Sequence, residues 1–475
     1  MRPLKLSPVV GILTVLAFTP LPTVGHAETS VPAVFGSGMV LQRELPIVVW
    51  GQDAPGTPVR VSVANREAAA KTDSDGRWRV TLEELRAEGP HVMTVRGSST
   101  LRFDDVLVGE VWLCSGQSNM EWPVREALNP EAEIAAANHP RIRHLKLNHR
   151  ASRKPTDDVD TQGTWQTCSP DTVANFTGVG FFFARYIQAQ LDVPVGLIGS
   201  NWGGTRIEPW IPPGGFKSVP ALADIADKLD QFPTIKDDGA VSHQSPLAIY
   251  NSMIHPLVPY GIRGALWYQG ESNMGEHMIY HEKMKALIQG WRQLWKRDDL
   301  PFYFVQLAPF RYKAPHLPPL MWEAQTATLS VPHTGMAVTV DIGNVADIHP
   351  RNKQDVGKRL ALWALSQTYG QAGIVVSGPL YHSMRVETGR IRLFFDHLGG
   401  GLVSRDGQAL RHFTIAAADQ KFVDATAVID GDSVVVSSPD VAHPIAVRFG
   451  WHEESEPNLS NAAGLPAAPF RTDRW

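Results

Sequence analysis

The chain has 475 residues, 43% of them hydrophobic and 19% charged, with a formal net charge of −4, which is enough apolar content for large cores in more than one domain. So small a net charge with no basic block gives no support for polyanion binding, and no nucleic-acid partner is expected. Cys114 and Cys168 are too few for a disulfide framework and, with scattered histidines, form no zinc pattern, so no metal is expected; the pair can be bridged or free.

Arg2 and Lys5 precede an apolar run over 9–18, and Val24-Gly25-His26-Ala27 ends in the small residues a signal peptidase reads. Residues 1–27 are therefore expected to be a cleaved signal peptide, and the mature protein to be exported, periplasmic or secreted. No later run is apolar for long enough to span a bilayer, so no membrane partner is expected after cleavage. Over 28–108, β-rich runs at 46–51, 59–63, 78–82 and 91–95 alternate with turns at Ala54-Pro55-Gly56 and Asp73-Ser74-Asp75-Gly76. That spacing predicts a small β-sandwich.

From 109 to 373, strand, loop and helix alternate, the mark of a layered α/β domain. A strand over 106–113 stops at Gly116-Gln117-Ser118-Asn119-Met120. Gly116 permits a sharp turn there, and Ser118 is the side chain placed to stand out as a nucleophile at a strand's carboxyl end. The stretch is not the G-x-S-x-G elbow, because Asn119 and Met120 follow the serine. A second strand, 195–199, ends in Ser200-Asn201-Trp202-Gly203-Gly204-Thr205, whose paired glycines let backbone N–H groups approach a ligand oxygen. A third, 262–268, ends in Gln269-Gly270-Glu271-Ser272-Asn273. Gln269 can offer its side-chain amide to an oxyanion, while Glu271 reads as a scaffold residue that holds loops by hydrogen bonds.

A helix is expected over 284–291, a core strand over 302–307, and another strand over 336–341. The loop after it, Asp347-Ile348-His349-Pro350, supplies a histidine that can reach back to Ser118 as general base, with a helical stretch running from Pro350 to 363. Asp347 is the nearest carboxylate to fix its tautomer and Asp341 the second. Beyond 374 the pattern is β again, with runs at 389–395, 422–429, 433–436 and 445–449, which predicts a second β-rich domain.

Together the four loops resemble the SGNH hydrolase superfamily, and closely the sialate O-acetylesterase-like carbohydrate esterases, over nearly the whole chain after residue 27. The resemblance implies a flavodoxin-like three-layer α/β hydrolase domain, flanked by the two β-rich domains, that removes O-acetyl groups from sugars without a cofactor. It also implies Ser118 as nucleophile and His349 as base, with the amides of Ser118 and of Gly203 or Gly204, and Gln269, as oxyanion donors. The superfamily's Asp usually lies three residues before the His, where this chain has Ala346; a triad through Asp347 and a Ser-His dyad supported by a backbone carbonyl both stay open. Gln117, Asn119, Arg206, Glu271 and Asn273, on the same loops, are expected near an acetylated carbohydrate substrate, hemicellulose-type or 9-O-acetyl sialate. An acetyltransferase and a non-catalytic sugar-binding protein are the alternatives on this scaffold.

Overall fold

The computed structural model describes residues 28–475 together with Met1, Pro3, Leu4, Leu6 and Ser7. The expected signal-peptide core and cleavage site fall outside the described residues. Among the described residues no helix is long and apolar enough to cross a membrane.

The centre is a sheet of seven strands: β1 (Thr100–Gly116), β2 (His139–Lys146), β3 (Gln166–Cys168), β4 (Val195–Asn201), β5 (Gly264–Tyr268), β6 (Phe302–Val305) and β7 (Thr334–Ala337), in the order β7-β6-β5-β1-β4-β2-β3. All neighbours are parallel except the β2–β3 edge pair. Strands β4 and β5 are buried at every position, as parallel strands covered on both faces must be. Trp112 on β1 packs on Phe183 of helix α1 (Gly178–Leu191), ring centroids 4.9 Å apart. Trp267 on β5 packs instead on Trp291 of α2 (Met278–Trp295) at 6.1 Å. Because Gly264 pairs with Trp112 and Trp267 lies three residues further on, the two indoles point to opposite faces. Helices therefore cover both sides of the sheet. Each buried indole removes roughly 200 Å² from water, on the order of 5 kcal/mol before entropy costs.

Helix α3 (Leu317–Ala327) follows β6, and α4 (Lys353–Trp363) follows the histidine loop. Helix α4 lies directly on α1, where a Cβ at Gly357 would come 2.6 Å from the Phe183 nitrogen. Its cap is Asn352, which accepts the Asp355 N–H at 3.0 Å, so Pro350 belongs to the turn before it rather than to the helix.

The expected division at 108/109 falls inside a continuous strand. The first half of β1 pairs with Glu88–Arg96 and Val40–Gln42 of the N-terminal β-rich region, and the second half lies between β4 and β5. Within that region, Pro58–Val63 and Arg77–Leu82 alternate exposed and buried residues as half-buried sheets do. Its apolar residues join those of the central sheet in one core. At the junction the Glu110 carboxylate is fully buried between Arg43 and Arg263, with Arg263 Nε at 2.6 Å, and the two guanidinium groups hold it ionised.

The C-terminal region has its own core around Ile391, Leu393, Ile415, Val434, Val447 and Phe449, between two four-stranded sheets. It docks on the central unit through Arg471, whose guanidinium meets both oxygens of Glu323 on α3 at 2.9 Å. Cys114 and Cys168 are both free and buried, and burial pushes the Cys168 thiol up to about 12.

Candidate active site

The register puts the three polar strand ends side by side, because Gly116 pairs with both Asn201 and Tyr268. Gly116 has φ +128°, and a Cβ there would lie 2.2 Å from the Tyr268 carbonyl oxygen, so only glycine lets β1 turn this close to β5. The turn leads into a single helical turn, Ser118–Glu121, with Gln117 as its cap. Ser118 is thus the first helical residue, and its N–H is one of those that no intrahelical carbonyl can satisfy.

His349 Nε2 lies 2.9 Å from Ser118 Oγ, within reach for proton transfer. The imidazole stacks on Trp122 at 4.2 Å with an interplanar angle of 17°. Burial and the Lys353 ammonium hold its pKa below the ordinary histidine value, against Asp347 and Glu126, which favour the charged ring. Asp347 Oδ1 accepts the backbone N–H of His349 at 2.9 Å but stands 3.9 Å from Nδ1, too far for a hydrogen bond to the ring. Asp341, the second candidate, is held by Arg359 through two bonds of 2.7 Å and does not serve the histidine.

The residue-108–366 stretch matches the family described as carbohydrate esterase, sialic acid-specific acetylesterase. Human sialate O-acetylesterase is 32% identical over 483 aligned positions, covering 91% of this chain and 90% of the relative. The mouse sialate O-acetylesterase is 30% identical over 421, covering 75% of this chain and 77% of the relative. The chain belongs to this carbohydrate esterase family. The crystal structure of a carbohydrate acetylesterase from Xanthomonas citri superposes with a TM-score of 0.87 at 40% identity, over 94% of this chain and 100% of that one. The protein is accordingly a carboxylic ester hydrolase.

The loops of the esterase distribute the other expected residues differently from their sequence reading. Gln269 is fully buried, and its NH₂ donates to the Thr205 carbonyl at 3.1 Å and to Asn273 Oδ1 at 2.7 Å while Tyr280 donates to its oxygen. Both of its N–H groups are engaged within the protein, so the amide braces two loops and is not free for an oxyanion. Gly203 lies against the nucleophile, where a Cβ would come 3.4 Å from Ser118 Cβ, but its N–H donates to Glu121 Oε2 at 2.9 Å. Gly204 is exposed at φ +73° and gives its carbonyl to Gln244.

None of the five residues expected near the substrate lines the cleft beside Ser118. Gln117 and Asn273 are buried, Gln117 taking the N–H groups of Gly270 and Ser272 at 3.4 and 3.3 Å and Asn273 taking that of Ile207 at 2.9 Å. Asn119 is buried and donates to Glu271 Oε1 at 2.6 Å, as the scaffold reading of Glu271 expects. Arg206 is paired with Glu276 and, at 2.9 Å, with Glu208. Polar groups at the ends of buried strands bond one another first, although Glu271 Oε2 has no hydrogen-bond partner among the described residues.

The cleft itself, about 700 Å³, is lined beside Ser118 and His349 by Glu121, Trp122, Arg125, Glu126, Lys146 and Asp171 among others. Glu121 receives His149 Nε2 at 2.9 Å and Lys146 Nζ at 3.5 Å. The ring of His149 stacks on Trp202 at 4.8 Å, and Trp202 on His243 at 4.8 Å. Glu121 and Trp122 closed the stretch that holds the nucleophile, so their nearness in sequence was the available signal. Lys146 and Asp171 carried none.

Proposed function

We propose that the esterase removes O-acetyl groups from carbohydrates through an acetyl-Ser118 intermediate, on an SGNH-type, flavodoxin-like catalytic unit spanning 109–373. The observation that carries this reading is the 2.9 Å contact between His349 Nε2 and Ser118 Oγ. Ser118 attacks the acetyl carbonyl while His349 takes its proton, and the protonated ring then returns that proton to the departing sugar oxygen. Water, deprotonated by the same imidazole, releases acetate. The Ser118 N–H, which no intrahelical carbonyl satisfies, is the oxyanion donor. Asp347 fixes the backbone of His349 and adds a nearby negative charge, so the pair acts as a dyad with electrostatic support. The protein works outside the cytoplasm once residues 1–27 are removed.

A neutral acetylated sugar of the hemicellulose type is the substrate class this cleft favours. Its two strong cations are already engaged: Arg125 donates to Asn175 and lies 3.6 Å from Glu126, and Lys146 lies 3.5 Å from Glu121. With Asp171 also on the wall, carboxylates outnumber cations, which disfavours the carboxylate of a sialic acid. The names of the curated relatives supply the second reading, 9-O-acetyl sialate. Acetate release from acetylated xylan or xyloglucan oligosaccharides is expected to exceed that from 9-O-acetyl sialic acid by about tenfold or more in kcat/KM, since one unfavourable charge contact costs on the order of 1–2 kcal/mol. The reverse preference overturns the neutral-sugar assignment and leaves the acyl-serine chemistry standing.

A further inference from the structure

Lys353 opens helix α4 and has no exposed surface. Its stem passes Gly178, where a Cβ would come 3.3 Å from Lys353 Cγ, and its Nζ donates to Asn119 Oδ1 at 2.6 Å. Asn119 directly follows the nucleophile. Its Nδ2 donates to Glu271 Oε1 at 2.6 Å and to the Ile348 carbonyl, the residue before His349, at 3.0 Å. One side-chain amide therefore joins four places: the nucleophile turn, the loop after β5, the histidine loop and the start of α4. With a donor at its oxygen and two acceptors at its nitrogen, only one amide orientation satisfies the set. Above this network, Lys353 Nζ lies 5.3 Å from the Tyr268 ring and 6.0 Å from the Trp122 ring, and Trp122 stacks on His349.

An ammonium in this position is costly to desolvate, and an apolar side chain of similar shape would fill the space more cheaply. A role that uses both the donor and the charge accounts for an ammonium at this place. We propose that Lys353 is a positioning residue of the esterase, which locks the Ser118 and His349 loops in register through Asn119 and sets its charge against the Trp122 ring that stacks on His349. This rests on the reading of Ser118 and His349 as the reacting pair.

The charged groups that face His349 are Lys353 from α4, Asp347 from its own loop and Glu126 from the segment after the nucleophile turn; Lys353 opposes protonation of the ring and the two carboxylates favour it. Burial pushes Lys353 down to about 7, against Glu271 and Asp347. Below that pH Lys353 is charged, and this is where His349, itself below its ordinary value, takes up its proton. Removing the ammonium therefore raises the histidine's pKa and moves the acid limb of the rate profile to higher pH.

The test compares Lys353→Met and Lys353→Gln with the wild type, as full-length mature protein, by acetate release from an acetylated oligosaccharide across the acid limb. Lys353→Met is expected to lose kcat by about 10- to 100-fold with KM little changed, the loss typical of slight misplacement of reacting groups, and to show the acid limb at higher pH. Lys353→Gln keeps an N–H for Asn119 but no charge, so it is expected to regain kcat while its acid limb stays displaced. A Met variant that melts like the wild type and matches its kcat and acid limb overturns the inference, as does an undisplaced limb in the Gln variant, which decides the matter if the Met variant does not fold. Ser118→Ala runs alongside: if it stays active, the reading of the reacting pair has failed, whereas an inactive Ser118→Ala with an unaltered Lys353→Met sinks the positioning role alone.

Discussion

Ser118→Ala is expected to lower kcat for acetate release by on the order of 10⁴- to 10⁶-fold while leaving the fold intact, the loss seen when a serine nucleophile is removed from an acyl-transfer site. The side chain is partly exposed in the cleft and its hydroxyl contacts His349, so the substitution removes one oxygen and no packing of consequence. Stability should stay within about 0.5 kcal/mol of the wild type, as for a substitution that breaks no buried network. Circular dichroism and thermal melting check the fold, and acetate release from an acetylated oligosaccharide checks the rate. A variant that kept even a tenth of the wild-type rate would remove Ser118 from the chemistry.

His349→Ala is expected to cost kcat on the same order, because serine and base act as a unit and the loss of either abolishes the same step. The wild-type enzyme carries a second signature of this residue in its pH dependence. The base must be neutral to accept the serine proton, and burial and Lys353 hold its pKa below the ordinary value. The rate should therefore stay high through neutral pH and fall only as the pH drops through that lowered pKa. Asp347→Asn is expected to cost far less than either, since Asp347 stands 3.9 Å from the ring nitrogen and bonds the backbone instead. An acid limb at or above the ordinary histidine value would contradict the environment described for His349.

Much of this architecture was legible in the sequence because β1, β4 and β5 are continuous apolar runs that end in glycine and amide residues, and buried parallel strands leave that pattern. The serine was legible because it sits just past β1; the histidine lies further from its strand than the sequence suggests, since β7 ends at Ala337 and not at 341. The partners of the polar residues were not legible. Gln269, Asn119 and Asn273 read as candidates to face a ligand, and composition does not reveal that each has a neighbour's carbonyl, carboxylate or amide within bonding distance. Lys353 was hidden for the opposite reason, since a lysine in the first turn of a helix reads as solvated, and only the packing of α4 on α1 and on the nucleophile turn buries it. The division at 108/109 followed a change of pattern along the chain, but Thr100–Gly116 serves two regions as one strand. Helix α3 escaped notice because Pro318 and Pro319 stand in its first turn, where proline is tolerated but masks the helical pattern.

The most direct test of the acyl-serine account is rapid acid quenching of the enzyme during turnover of p-nitrophenyl acetate, followed by peptide mass mapping. The account predicts a single acetyl adduct on the peptide that contains Ser118, formed within the first turnover and absent from Ser118→Ala. Acetate release without that adduct, or an adduct on another residue that turns over at the same rate, would contradict it.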